Sequence, residues 1–103
     1  MLPSDGVLSE AMSPMYVVPL GKRCELRNLV LVNNSTAMAT VNLYVRVSGN
    51  LRPVFPVGAE SLRISGGRSA VEQMPLLLGP GHEVHGVSSL SNAVTYVLCG
   101  TET

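Results

Sequence analysis

Charge is scarce in this sequence. Charged side chains make up 14% of the 103 residues, and seven basic residues balance seven acidic ones. A protein that binds nucleic acid usually shows a clustered basic excess, so we expect no nucleic-acid partner. Small monomers tend to carry a net charge that keeps them apart in solution. A neutral chain that is 46% apolar instead suggests a surface partly covered by neighbours, in a homo-oligomer or a larger lattice.

Aromatic residues are also few. There is no tryptophan, and the aromatic side chains are Tyr16, Tyr44, Phe55 and Tyr96. Small-molecule pockets are commonly lined by apolar and aromatic side chains, and a core needs most of these residues for packing. Only Tyr44 falls on a polar face of its predicted strand. Carbohydrate binding is therefore disfavoured, and Tyr44 would be its contact residue.

The side chains of common catalytic and metal sites are nearly absent. The chain has His82 and His85, Cys24 and Cys99, and a single aspartate, Asp5. Structural zinc sites use closely spaced ligand pairs, and neither cysteine has such a partner. No Gly-x-Ser-x-Gly nucleophile elbow occurs, nor a glycine-rich phosphate-binding loop. We expect no catalytic residue, no metal and no cofactor, and hence no enzyme.

The two cysteines leave two possibilities open. Cys24 and Cys99 could form a disulfide if their strands are adjacent, whereas a reducing cytosol favours two free thiols. The free thiols fit better with the other features of the chain. No secretory signal is visible, because the N-terminus carries Asp5 and Glu10 instead of a basic start.

Long apolar runs are missing too. Stretches such as residues 29–32 are far shorter than the roughly 20 residues of a membrane-spanning helix. We therefore expect no membrane partner and synthesis in the cytoplasm.

The sequence is rich in β-strand pattern. Residues 16–48 contain consecutive predicted strands separated by the polar turn Asn34-Ser35-Thr36. In the strand after this turn, apolar and polar residues alternate strictly, which is typical of a strand with one buried face. Its predicted core face consists of Ala39, Val41, Leu43, Val45 and Val47.

The strand before the turn changes phase. Cys24 and Leu26 have one parity, whereas Leu29 and Leu31 have the other. Such a change near Arg27 predicts either a β-bulge or a strand that crosses from one sheet to another.

Short predicted strands continue to the C-terminus. After a turn at Gly49-Asn50, residues 51–58 are predicted to be a proline-containing connection. Further strands are predicted over residues 61–65, 71–78, 83–88 and 93–99. Pro75 places the strand over residues 71–78 at an edge or in a bulge. The strands over residues 83–88 and 93–99 are predicted to pair with each other. Their core residues are Leu62, Ile64, Val94, Tyr96 and Leu98. The spacing predicts an all-β fold, an antiparallel β-sandwich or jelly-roll-like domain of about seven or eight strands.

Residues 1–14 differ from the rest because they mix helix and strand breakers with scattered apolar residues. We predict an extended N-terminal arm over residues 1–14 and a β-sandwich domain over residues 15–103. The arm's apolar side chains are the predicted contacts with a partner surface: Leu2, Val7, Leu8 and Met12.

Several segments resemble small virion proteins of tailed bacteriophages. These are Tyr16-Val17-Val18-Pro19-Leu20-Gly21-Lys22, Leu31-Val32-Asn33-Asn34, Ala39-Thr40-Val41-Asn42-Leu43-Tyr44-Val45, Leu78-Gly79-Pro80-Gly81-His82-Glu83-Val84 and Tyr96-Val97-Leu98-Cys99-Gly100-Thr101-Glu102. The family has the order Tyr-x-Val-Pro-x-Gly-Lys, a strand ending in Asn, a Thr-Val-x-Leu-Tyr strand, Leu-x-x-Gly-Asp and Val-Ser-Gly-x-Glu. His82 stands where the family often has Asp. The resemblance covers residues 16–102.

The resemblance implies a non-enzymatic structural protein located in the virion. The first expectation is a capsid decoration or cement protein that binds the major capsid protein lattice through its N-terminal arm. Alternatives are a neck, tail or fibre-attachment adaptor that contacts other virion structural proteins, and a carbohydrate-binding module for host attachment.

Overall fold

Two antiparallel sheets form a β-sandwich in the computed structural model, which describes residues 4–55 and 62–103. These residues contain nine strands and no helix: β1 Ser4–Val7, β2 Ser13–Val17, β3 Cys24–Asn33, β4 Ala39–Val47, β5 Asn50–Phe55, β6 Leu62–Ile64, β7 Ser69–Leu78, β8 Glu83–Ser88 and β9 Val94–Glu102. Sheet 1 has the order β1-β9-β3-β7, and sheet 2 has the order β2-β8-β4-β5, with β6 also paired to β4. The predicted all-β sandwich is confirmed, with nine strands in these residues instead of seven or eight.

The core lies between the facing sides of the two sheets. On β4 the predicted face is confirmed, since Ala39, Val41 and Leu43 are fully buried and Val45 is nearly so. Sheet 1 contributes the predicted core residues of β9 together with buried leucines of β3, all at alternate positions: Leu29, Leu31, Val94, Tyr96 and Leu98. Alternation places these side chains on one side of each strand, which is why a period of two predicted the core.

The phase change in β3 is a β-bulge. The register of β3 shifts between Leu26 and Asn28 against both of its neighbours, β7 and β9. Because both neighbours lie in sheet 1, the alternative of a strand that crosses between sheets is wrong. Gly100 pairs with Leu26 at this point, and a Cβ there would lie 2.3 Å from the carbonyl oxygen of Glu25. The bulge therefore brings the β3 backbone against a position that only glycine can fill.

Neighbouring strands in the sequence often lie in different sheets. The predicted pairing of the last two strands is wrong, because β8 pairs with β2 and β4 whereas β9 pairs with β1 and β3.

β3 and β4 also lie in different sheets, and Asn33 at the end of β3 links the two sheets. Its side-chain amide donates hydrogen bonds of 2.8 Å to the carbonyl oxygens of Ala37 and Ile64. A buried polar side chain needs such partners, and here they hold the connection between the sheets.

The connection predicted over residues 51–58 is wrong where the structure describes it. Residues 50–55 form β5, which pairs with β4 at an edge of sheet 2. A two-residue turn joins the strands, with positive φ at Ser48 (52°) and Gly49 (83°), as in a type I′ hairpin. Pro53 is tolerated because an edge strand can lack a backbone donor. Residues 56–61 lie outside the described part of the chain.

Residues 4–14 are not a separate arm. β1 pairs with β9 and β2 pairs with β8, so both belong to the sandwich. Between them, the Leu8 amide donates a 2.8 Å hydrogen bond to the Val94 carbonyl oxygen, and the Leu8 side chain is fully buried. The sequence pattern did not reveal this pairing because it joins the two ends of the chain.

Candidate docking surface

Valine side chains cover the outer side of sheet 1. Strand register places Asp5, Val97, Val30 and Val71 in one row across all four strands. Since successive residues point to opposite sides, the next row on the same side is Val7, Thr95, Val32 and Ser69. We call the five valines of these rows, Val7, Val30, Val32, Val71 and Val97, the valine face.

The valine face is accessible to a partner. Val71 is 70% exposed and Val7 is 48% exposed, while Val30, Val32 and Val97 are half-buried. Single exposed apolar residues are ordinary, but a contiguous patch commonly marks an interaction surface. The arrangement is suited to contact with another protein surface.

Two adjoining hollows lie where the bulge opens sheet 1 beside β7. Their volumes are about 640 and 650 Å³, and Glu25, Arg27 and Leu77 line both. The Arg27 guanidinium lies 3.1 Å from the Glu25 carboxylate. Leu77 is 81% exposed, so the shared wall combines an ion pair with an apolar side chain.

A partly buried polar cluster joins the ends of β2, β3 and β9. The Tyr16 hydroxyl donates a hydrogen bond to the Glu102 carboxylate. Burial raises the pKa of the Tyr16 hydroxyl well above its ordinary value of 10.0, and the bond to Glu102 acts in the same direction. Burial likewise raises the pKa of the Cys24 thiol; the hydrogen bond with Tyr16 lowers it, and the Glu102 charge raises it. Cys24 is thus held as the thiol, which is not the nucleophilic form.

Both cysteines are free thiols. This is the second of the two possibilities that the sequence left open. Cys99 pairs with Asn28 on the neighbouring strand, four residues along β3 from Cys24. At about 3.3 Å per residue this offset is roughly 13 Å, and a disulfide needs Cα atoms within about 7 Å. β3 and β9 are adjacent, but their register keeps Cys24 and Cys99 too far apart to form a disulfide.

The histidines have structural partners. The His82 ring accepts a 2.9 Å hydrogen bond at Nδ1 from the Gly79 amide. A 2.9 Å hydrogen bond joins His85 Nε2 to Glu83 Oε1. Within the described residues, no three His, Cys, Asp or Glu side chains are grouped so that they could hold a metal ion. That part of the chain also has no helix long and apolar enough to span a membrane.

The outer side of sheet 2 is more polar. Register places Pro14, His85, Tyr44 and Pro53 in one row across its strands. Tyr44 is half-buried there. A ring on an exposed sheet surface can stack on a ligand, so this row is where a carbohydrate would be sought.

The four predicted arm contacts have different places. Val7 lies in the valine face, and Met12 is 39% exposed between β1 and β2. Leu8 belongs to the chain's own core, so the prediction that it contacts a partner is wrong. Leu2 lies outside the described residues.

Sequence reasoning missed Val30, Val32, Val71 and Val97. The signal for the first two was present, because residues 29–32 are apolar at every position. Such a run is typical of a strand covered on both sides, whereas the strict alternation of β4 is typical of a strand covered on one. Val71 and Val97 could only be added once the strand register was known.

Comparisons with known proteins do not assign the chain to a family: no protein-family model matches it, and no curated protein matches it.

Proposed function

We propose that this protein is a non-enzymatic structural protein of a bacteriophage virion, which decorates or cements the capsid by docking the valine face on the major capsid protein lattice. The accessible valine face is the observation that carries the proposal. The sequence resemblance to small virion proteins supports the class of partner, and the neutral, apolar composition supports a surface that is covered in an assembly.

Adhesion would come from apolar burial repeated over many copies. Fully burying an exposed valine side chain stabilises a complex by about 1.5–3 kcal/mol. Because three of the five valines are already half-buried, one copy would gain only a few kcal/mol before the costs of association. A symmetric lattice compensates for modest contacts, because neighbouring copies can bind cooperatively or with avidity.

The docking element differs from the one predicted from the sequence. Deleting residues 1–14 would remove β1 and part of β2, so loss of binding would then report loss of the fold. A substitution within the valine face is a sharper test. Val97→Lys suits this purpose, because Val97 is half-buried on the outer side of sheet 1 and pairs with Asp5, whose charge can accommodate the lysine.

Binding to capsids that lack the protein tests the proposal by co-sedimentation. We expect the wild-type chain to saturate the capsids and Val97→Lys to bind at least tenfold more weakly. Val87→Lys is the matched control, since Val87 is half-buried on the outer side of sheet 2; it should bind as the wild type does. Equal binding of Val97→Lys and wild type, or no binding of the wild type, would overturn the proposal.

Copy number distinguishes this proposal from a neck, tail or fibre-attachment adaptor. Quantitative mass spectrometry of purified virions should find hundreds of copies for a capsid decoration protein. A ring-shaped adaptor would be present in about a dozen copies or fewer, and that result would move the protein to the tail.

The row of Pro14, His85, Tyr44 and Pro53 on the outer side of sheet 2 favours a second candidate function, a carbohydrate-binding module for host attachment. Aromatic rings on an exposed surface are common sugar contacts, and Tyr44 is in register with His85 and Pro53. A glycan array should show binding that Tyr44→Ala abolishes. An array without signal for the wild-type chain would exclude this candidate.

A further inference from the structure

Sheet 1 ends in two edges, β1 and β7, that pair with no further strand in the described part of the chain. An unpaired edge presents backbone donors and acceptors that can bind another strand. β7 is ten residues long, and Val71, its third residue, is 70% exposed. A long edge with an exposed apolar side chain is usually covered in a soluble protein.

We propose that a second copy of this chain covers the edge by placing its own β1 alongside the first half of β7. All neighbours in sheet 1 are antiparallel, so β1 and β7 run in opposite directions. A second copy can thus continue the antiparallel order without reversing either strand. The lengths also agree: β1 has four residues, and residues 69–73 of β7 precede the register shift and Pro75.

Charge favours this head-to-tail pairing. Asp5 is the ionised side chain of β1 and is exposed. Arg68 immediately precedes β7, is also exposed, and has no ion-pair partner among the described residues. Arg68 therefore places a positive charge at the start of the β7 edge, which favours the approach of the β1 edge with Asp5.

The alternative, a two-fold pairing of β7 with β7, is disfavoured by Glu72. An antiparallel pairing of residues 69–73 with themselves is centred on Val71, so the Glu72 side chains of the two copies become diagonal neighbours. Like charges at such positions destabilise a sheet. In the head-to-tail pairing the acids stay apart, because Asp5 shares the outer side of sheet 1 with Val71 whereas Glu72 shares a row with the buried Leu29.

Head-to-tail contacts of this kind close into a ring when the rotation between copies permits. Closure gives every chain two contacts and pairs the β1 edge and the first half of the β7 edge in every copy. The valine rows would then continue from one copy to the next and form a larger apolar surface. This inference does not depend on the virion partner of the proposed function.

Native mass spectrometry and sedimentation velocity of the full chain test the ring. We expect the wild type to form a complex with a fixed number of chains. Val7→Lys places a charge on the β1 edge and Val71→Lys places one on the β7 edge, so each variant alone should be monomeric. An equimolar mixture should form a heterodimer, because the first variant keeps an intact β7 and the second keeps an intact β1.

The same experiment contains its controls. Leu51→Lys changes an exposed aliphatic residue on β5, an edge of sheet 2, and should keep the wild-type mass. Asp5→Lys is a second β1 variant at an exposed position and should weaken association at least tenfold. Circular dichroism verifies that each variant folds. A monomeric wild type, a Val7→Lys chain that keeps the wild-type mass, or a mixture without the heterodimer would overturn the inference, whereas reduced capsid binding by Val97→Lys would not bear on it.

Discussion

Replacing Tyr16 with phenylalanine should destabilise the protein at neutral pH, and the loss should shrink as the pH becomes alkaline. The Tyr16 side chain is 8% exposed, and its hydroxyl donates a hydrogen bond to the Glu102 carboxylate. A hydrogen bond to a charged group contributes about 1.5–3 kcal/mol. Because Glu102 is only half-buried, water can partly replace the lost donor. We therefore expect a loss near the lower end, about 1.5 kcal/mol at pH 7.

The pH dependence follows from the raised pKa of Tyr16. Burial is the main cause, with the bond to Glu102 second, so the folded state favours the neutral hydroxyl. Below pH 10.0, the ordinary value, both states are protonated and the stabilisation is fully present. Above it the unfolded chain loses the proton while the folded chain keeps it, and wild-type stability falls by up to about 1.4 kcal/mol per pH unit. The variant has no proton to lose at this position.

Urea denaturation between pH 7 and pH 11, followed by circular dichroism, measures both free energies of unfolding. The difference between wild type and Tyr16→Phe should be constant to about pH 10 and then fall toward zero within roughly one unit. Cys24 is present in both proteins, so its own raised pKa affects both curves. Val17→Ala, at an exposed position of the same strand, serves as a control with a constant difference. Curves for wild type and Tyr16→Phe that stay parallel to pH 11 would refute this reasoning.

Three further substitutions test the packing, the sheet connection and the hairpin by urea denaturation. Leu29→Ala, at a fully buried position, should cost about 3–4 kcal/mol, whereas Leu77→Ala, 81% exposed, should stay within about 0.5 kcal/mol. Asn33→Asp should cost about 3 kcal/mol or more, because a carboxylate would replace the amide that donates to two carbonyl oxygens; a neutral result would contradict the role of Asn33. Ser48→Asn should stabilise the protein by a few tenths of a kcal/mol, because Asn-Gly suits the positive φ angles of this turn; a loss would contradict the turn type.

The sequence predicted those parts of the fold that depend on a short run of neighbouring residues. The alternation in β4 and the phase change in β3 each depend on a few consecutive residues, and both predictions were confirmed. β5 was missed because the prolines of residues 51–58 predict a connection, although an edge strand tolerates proline. The sequence could not show that β5 would lie at an edge, since that depends on the order of strands in the sheet.

Contacts between distant parts of the chain were beyond sequence reasoning. Leu8 has the same apolar character as Val7 and Met12, yet only Leu8 is buried, through pairing of the β1 segment with β9 at the other end of the chain. The valine face likewise depends on register, because Val71 and Val97 join Val30 only when three strands are aligned. A shift of one residue would turn each of these side chains toward the core.

β3 provides the strongest argument that sheet 1 has a second cover. Leu29 and Leu31 point into the sandwich and are fully buried, while Val30 and Val32 between them point outward and remain half-exposed. A strand with one solvent-exposed face usually alternates apolar and polar residues, as β4 does. A strand that is buried on both faces is apolar throughout. Residues 29–32 of β3 therefore have the composition of a doubly covered strand, but the described part of the chain covers only one side of them. The other side of sheet 1 is where we expect the partner to bind.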